Sequence, residues 1–394
     1  MATERGTRPV PGRLIACWTV PNRHRVAVVL AAVLVTAAST GCMSRSSGLA
    51  SSCTLSAVPG STASSDVPSG VARIGDRVLS VGTRFQGSAG SPLAAFGDRA
   101  SWSAAMIPAY PGRIVELDDV TASIGDAWAV GAITNVAPAV TSWDGQRWTA
   151  MRIADPGPGE DGLTGVAAVS QTSVWAVGRH QRGIAFATLV ERWDGRTWRI
   201  VASPNIARSS NVLKDVAAPG PNDAWAVGWV VQHERYRTLV EHWDGARWTI
   251  VPTPDGGGVD ALFTGVAAVN ANDVWAVGRT ADGDVQHPLV EHWDGHAWNL
   301  VQLPPAVDLA ALGGVTATPT GVAIVGRLLD GTQPRPLVLI LAGKEWTVAS
   351  FDAGNGPSWL TGVTVDADGT VFAVGSSAPG NSITASLAVT DCAP

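Results

Sequence analysis

The sequence predicts an all-β protein: a seven-bladed β-propeller of four-stranded antiparallel blades, the last blade completed by an N-terminal strand. Three observations predict it. The segment Val174-Trp175-Ala176-Val177-Gly178 returns at 127–131, 224–228 and 274–278, and more loosely at 78–82, 322–326 and 371–375. The glycines that close these segments, at 82, 131, 178, 228, 278, 326 and 375, are spaced 47 to 50 residues apart. Each period reads as four short strands joined by turn residues, and a repeat of that length and content is one propeller blade.

Composition agrees. The 394 residues are 46% apolar and 15% charged, with 44 Gly, 25 Pro and 17 Trp. Many turns joining short aromatic-rich strands produce such a bias. Lys and Arg (27) are fewer than Asp and Glu (33), for a net charge of −6. That argues against a nucleic-acid partner, which needs clustered basic residues. No apolar run of helical length occurs beyond the N-terminal region, so no internal membrane span is expected.

The first element in chain order is an address. Arg23-His24-Arg25 precedes residues 26–38, which carry no charge. The run is short for a bilayer span and suits the core of a secretory signal. It ends in Ser39-Thr40-Gly41-Cys42, which resembles a bacterial lipobox, with Ser39 where an aliphatic residue is usual. The expected division is a lipoprotein-type signal over 1–41, with Cys42 lipidated, a Ser-rich tether over 42–52 and the propeller over 53–394. Ordinary cleavage near Ala38, or an uncleaved anchor, is the alternative. The expected location is the extracytoplasmic face of a bacterial membrane, held by lipid alone.

The copy at 262–303 shows the blade. Strand A is expected over 262–269 and strand B over 274–279, with Asn270 to Asp273 turning between them by side-chain bonds to backbone. A polar segment, 280–287, leads to strand C over 289–293. Asp294-Gly295 marks a tight hairpin, and strand D follows over 298–303 until Pro304-Pro305 stops the ladder. Strand B is apolar on both faces, as expected where neighbours cover both sides. Trp193 and Trp198 project from one face, as do Trp243 with Trp248 and Trp293 with Trp298. Packing between blades is one role for these rings; a platform for stacking sugars is the other.

These segments, Val274 to Gly278, then Leu289-Val290-Glu291-His292-Trp293-Asp294-Gly295 and Trp298, resemble a kelch repeat. The likeness spans about residues 53–394. It departs where the family carries a Gly-Gly doublet: here one Gly is followed by Ala, Arg, Trp, Thr or Ser. Kelch-like propellers mostly bind partners, and a few are enzymes. A copper oxidase of that kind would need a Tyr/Cys/His ligand set, and the only tyrosines are Tyr110 and Tyr236.

The last copy has strands A to C and no fourth. Residues 53–59, ending in Pro59, have the length of a strand D and are expected to complete it. This places Cys53 and Cys392 across one hairpin, and a disulfide there would staple the ring, on the order of 5 kcal/mol at most in the chain-entropy model; export makes oxidation plausible.

The B–C and D–A connections vary between copies and emerge on one side, which is where recognition is expected on a rigid scaffold. The candidate ligand-binding residues are His180, Arg182, His233, Arg235, Tyr236 and His287, with acids at 155–161 and 255–260. Each is also readable as a solvated loop residue. Asp282/Asp284 and Asp366/Asp368 have a spacing that suits calcium but also suits ordinary Asp-Gly turns. No nucleophile motif or acid–base pair is fixed by the sequence. Glu191, Glu241 and Glu291 recur at strand C, which suggests a structural bond. The function expected is a monomeric, cofactor-free, metal-free binding or scaffolding module for a protein or glycan; the alternative is a carbohydrate-active or lyase-type enzyme.

Overall fold

The glycine that closes each strand B is the position the blade cannot vary. In the computed structural model, a Cβ at Gly178 would collide with the Gly162 carbonyl oxygen of the neighbouring strand, and Gly82, Gly131, Gly228, Gly278, Gly326 and Gly375 stand in the same place. The cause is a bulge. Opposite every closing glycine the innermost strand carries an extra residue, so the pairing skips from Leu163 to Gly165, from Leu213 to Asp215 and likewise in the other sheets. A bulge bends its strand and brings backbone close, which only glycine tolerates. The structure describes residues 54–57, 65–378 and 385–390, except 88, 99–100, 109–112, 114, 135, 255–259 and 351–355. Cys42, Cys53 and Cys392 lie outside the described residues.

Six blades are each built from four consecutive strands, over residues 65–104, 115–150, 161–200, 211–250, 260–300 and 310–350, here blades 1 to 6. In blade 5 the strands are Asp260–Asn270, Asp273–Asp282, Val285–Trp293 and Trp298–Leu300. The expected count of seven blades is corrected here to six built from consecutive strands. The last repeat supplies only Ser358–Val365, Val371–Ser377 and Ala385–Thr390, so a seventh unit closed within one stretch of chain does not form. Instead Thr54–Ala57 pairs antiparallel with Ala385–Thr390, Thr54 opposite Thr390, in a composite sheet made from both ends. Its inner strand, Ser358–Val365, touches the inner strands of blades 6 and 1.

Two strand boundaries differ from expectation. Strand B of blade 5 runs on to Asp282 and strand C begins at Val285, so the expected polar connection is mostly ladder. The two-residue turns Gly283-Asp284, Gly183-Ile184 and His233-Glu234 join B to C in blades 5, 3 and 4, with positive φ at Gly283, Gly183, His233 and Glu234. Such turns match the twist of the flanking strands. Strand D is short, three residues in blades 1 to 5.

The core lies between blades. Trp175 of blade 3 is fully buried and packs against Trp243 and Trp248 of blade 4, with ring centroids 5.1 and 5.2 Å away. Trp225 repeats this against Trp293 and Trp298 of blade 5 at 4.9 and 5.5 Å. The pairs Trp193–Trp198, Trp243–Trp248 and Trp293–Trp298 stand 5.9 to 6.0 Å apart on their shared faces. At the C–D turns the Asp294 carboxylate accepts the His296 and Ala297 N–H groups at 2.9 Å, and Asp144, Asp194 and Asp244 do the same. These bonds hold all four carboxyls below their usual range.

Candidate functional site

The bulges place fourteen residues in pairs around the axis, on the half of each sheet nearer the B–C hairpins. The pairs are Ser69-Gly70, Asp118-Asp119, Thr164-Gly165, Lys214-Asp215, Thr264-Gly265, Gly313-Gly314 and Thr361-Gly362. Small residues suit this crowded place: a Cβ on Gly165 would sit 2.6 Å from the Asp215 Cα. Blades 2 and 4 break the pattern with three acids and a lysine.

These exceptions are partly structural. Asp119 accepts the Val166 N–H of blade 3 at 2.9 Å, and Asp215 accepts the Val266 N–H of blade 5 at 2.8 Å. Thr164 donates to the Leu213 carbonyl of blade 4 at 2.8 Å, Thr264 to Leu312 of blade 6 at 2.9 Å, and Thr361 to Pro68 of blade 1 at 3.2 Å. Asp118 and Lys214 make no such bond among the described residues.

Together these side chains line an open axial cavity of 390 Å³, with Arg279, Arg327 and Trp359 on its far side. Burial raises Asp118 to about 6, with Lys214 opposing the shift. It raises Asp215 to about 6 against the N–H bonds of Val266 and Val216. Asp119 is raised well above its ordinary value by burial and then by the charge of Asp215. Lys214 is lowered by burial, with Asp118 opposing. Acids and lysine thus gather on the side of blades 2 to 4 and arginines on blades 5 and 6.

The residues expected to bind lie on the same face, farther out. His180 is buried, and its Nδ1 is 2.7 Å from Asp161 Oδ1, which also accepts the Gln181 N–H at 3.0 Å. Arg182 and Arg235 are exposed beside the hairpin turns of blades 3 and 4. His233 occupies a turn at φ 51. Tyr236 packs edge-on against Trp229, 5.1 Å between centroids, and His287 Nδ1 donates to the Asp308 carbonyl at 2.8 Å. Trp229, Tyr236, Asp260, Leu262, Arg279, Ala281 and Gln286 line a second cavity of 290 Å³. So Tyr236 joins a cavity that shares Arg279 with the axial one, whereas His180 stabilises its own blade. Asp366 Oδ1 accepts the Asp368 and Thr370 N–H groups at 2.9 Å, which is turn chemistry.

Glu191, Glu241 and Glu291 are fully buried. Glu241 accepts the Ser203 hydroxyl at 2.6 Å from the segment entering its blade. Burial raises Glu191 to about 7, opposed by the Ala154 N–H, and Glu241 to about 8, opposed by Ser203. At Glu241 the strand C carboxyl thus holds the segment that crosses from blade 3 into blade 4.

Asp118, Asp119, Lys214, Asp215, Arg279 and Arg327 were not among the residues expected to form a site. One signal was present: aligned on the bulge, Thr-Gly in copies three and five becomes Asp-Asp and Lys-Asp in copies two and four.

The chain is a β-propeller. It is similar to the solved structure described as YCF48 bound to D1 peptide, at 13% identity and a TM-score of 0.56, covering 86% of this chain and 96% of that one. It is also similar to the propeller domain of the Trilobed protease from Pyrococcus furiosus, described as having an open velcro topology, at 11% identity and a TM-score of 0.52, covering 83% and 94%. No family model and no curated protein matches the chain. At these identities the likeness is one of fold.

Proposed function

We propose that this propeller is a non-enzymatic binding module that receives a protein partner on its hairpin face, centred on the axial cavity. The carrying observation is the interruption of a ring of glycine and threonine by Asp118, Asp119, Lys214 and Asp215, in a cavity that also holds Arg279 and Arg327. Charged side chains at positions that suit the smallest residues cost stability, and recognition is one use that offsets the cost. A propeller of similar fold solved with a bound peptide supports a protein partner over a glycan. Peptide and glycan arrays probed with the purified chain test this. The expected result is peptide binding that Lys214→Ala and Arg279→Ala abolish and Asp368→Ala, on the opposite face, leaves intact. Binding to glycans alone, or loss in Asp368→Ala only, refutes it.

A second reading rests on the two carboxyls raised to about 6 in one cavity, since displaced carboxyls mark acid–base sites. A carbohydrate-active or lyase-type enzyme would then lose turnover of a screened polysaccharide in Asp118→Asn. We further assign the repeat to the kelch-like class, with Arg179, Trp229, Arg279 and Arg327 where the doublet's second glycine would stand. Export with a lipid on Cys42 is supported by residues 26–38 and the small residues before Cys42. A Cys53–Cys392 bridge is supported by the pairing of Thr54 with Thr390. Mass spectrometry of the exported protein, without reductant, tests both.

A further inference from the structure

The position after each closing glycine carries Arg179, Trp229, Arg279 and Arg327 in blades 3 to 6. Their environments differ. Arg179 is neutralised by Glu160, 2.9 Å from its guanidinium. Arg279 and Arg327, on neighbouring blades, have no carboxylate within ion-pair distance among the described residues. Each stands opposite a proline, Pro288 and Pro336. The Arg327 Nε is buried without a partner, and its one side-chain bond, to Gln286 Oε1, is long at 3.5 Å. Burial, and then the charge of Arg327, pulls Arg279 below its ordinary value. Two half-buried guanidiniums that face one cavity with no acid at ion-pair distance repel each other, and an anion between them removes the repulsion and takes up the donors they present to it.

We infer that Arg279 and Arg327 form a carboxylate-binding subsite at the arginine side of the axial cavity, serving a ligand whose apolar body lies against Trp229 and Tyr236. The inference rests on the binding role proposed above and names the group recognised. Three observations fix the class. The planar forks of two arginines match a carboxylate bidentately. Asp118, Asp119 and Asp215 line the same cavity and disfavour a dianion, so a singly charged carboxylate is preferred over phosphate. Arg279 is a shared wall of the axial cavity and of the 290 Å³ cavity lined by Trp229 and Tyr236, so anion and apolar body fall on adjoining surfaces.

Calorimetric titration with N-acetyl-L-phenylalanine and its neutral amide, at constant ionic strength, tests it. The acid is expected to bind at least tenfold more tightly than the amide. Arg279→Gln and Arg327→Gln should each abolish that preference, Arg279→Lys should keep part of it, and inorganic phosphate should compete less well than acetate. Thermal midpoints within a few degrees of the parent show that the variants fold. Equal binding of acid and amide, or an acid dissociation constant weaker than about 10 mM, overturns the subsite, as does a preference unchanged in both Gln variants. Phosphate competing better than acetate overturns the monoanion assignment. Equal binding that Tyr236→Ala removes would overturn the subsite while leaving the hairpin-face reading intact.

Discussion

Asp215 reaches from blade 4 to accept the Val266 N–H of blade 5 at 2.8 Å, standing where five other repeats carry glycine. The same carboxyl is raised to about 6 by burial, so it is both a clasp between blades and a charge held at some expense.

The two roles can be separated. Asp215→Asn keeps an oxygen for Val266 and removes the charge, and it should be neutral or stabilising at pH 8. Asp215→Ala removes the acceptor and leaves a buried N–H, and should cost about 1–3 kcal/mol. Chemical denaturation of both variants measures the difference; equal effects would contradict this account of the clasp.

The buried carboxyls set the dependence of stability on pH. Glu241, raised to about 8, and Asp118 and Asp215, raised to about 6, hold protons in the folded state that the unfolded chain releases at lower pH. The stability these three groups contribute is therefore fully present below the ordinary carboxyl range and is lost as pH rises through the folded values. The melting midpoint should fall between pH 5 and pH 8. Glu241→Gln, which can still accept the Ser203 hydroxyl, should flatten the upper part of that fall.

Trp175 fills the seam between blades 3 and 4. Trp175→Ala should cost about 3–5 kcal/mol without altering the apparent size of the folded protein in gel filtration. A loss below about 1 kcal/mol would mean that the Trp243–Trp248 pair closes over the gap.

Two of the expected ligand residues have structural effects that a binding assay must discount. His180→Ala leaves Asp161 buried with only the Gln181 N–H, and should lower stability by about 1–3 kcal/mol. His233 holds a positive φ, so His233→Gly should raise stability by up to about 1 kcal/mol. Denaturation midpoints of the two variants should move in opposite directions.

The blade was legible because it is periodic. The closing glycine, the Asp-Gly turns and the Trp pairs all recur, and recurrence separates them from chance. The count of complete blades was misread, since the final repeat resembles its siblings through three strands and its fourth, Thr54–Ala57, comes from the other end of the sequence. The shared face of the variable connections was legible from the order of the strands. The reach of the ladders was not, because Thr280 to His287 is polar whether it loops or pairs. The axial charges were overlooked for a related reason. Asp118 and Lys214 look like ordinary surface residues until the bulge register turns them toward the axis, and register is a pairing property that one strand does not reveal.

The bonds from Asp119, Thr164, Asp215 and Thr264 all run from one blade to the next in chain order, and Thr361 continues the sense from the composite sheet into blade 1. Blade 6 offers Gly313 and Gly314 at that point, and among the described residues no side-chain bond joins its inner strand to that of the composite sheet. Under a mechanical load that seam therefore lacks the side-chain clasp that Asp119, Thr164, Asp215 and Thr264 give the seams from blade 2 to blade 6, and it runs beside the arginine wall.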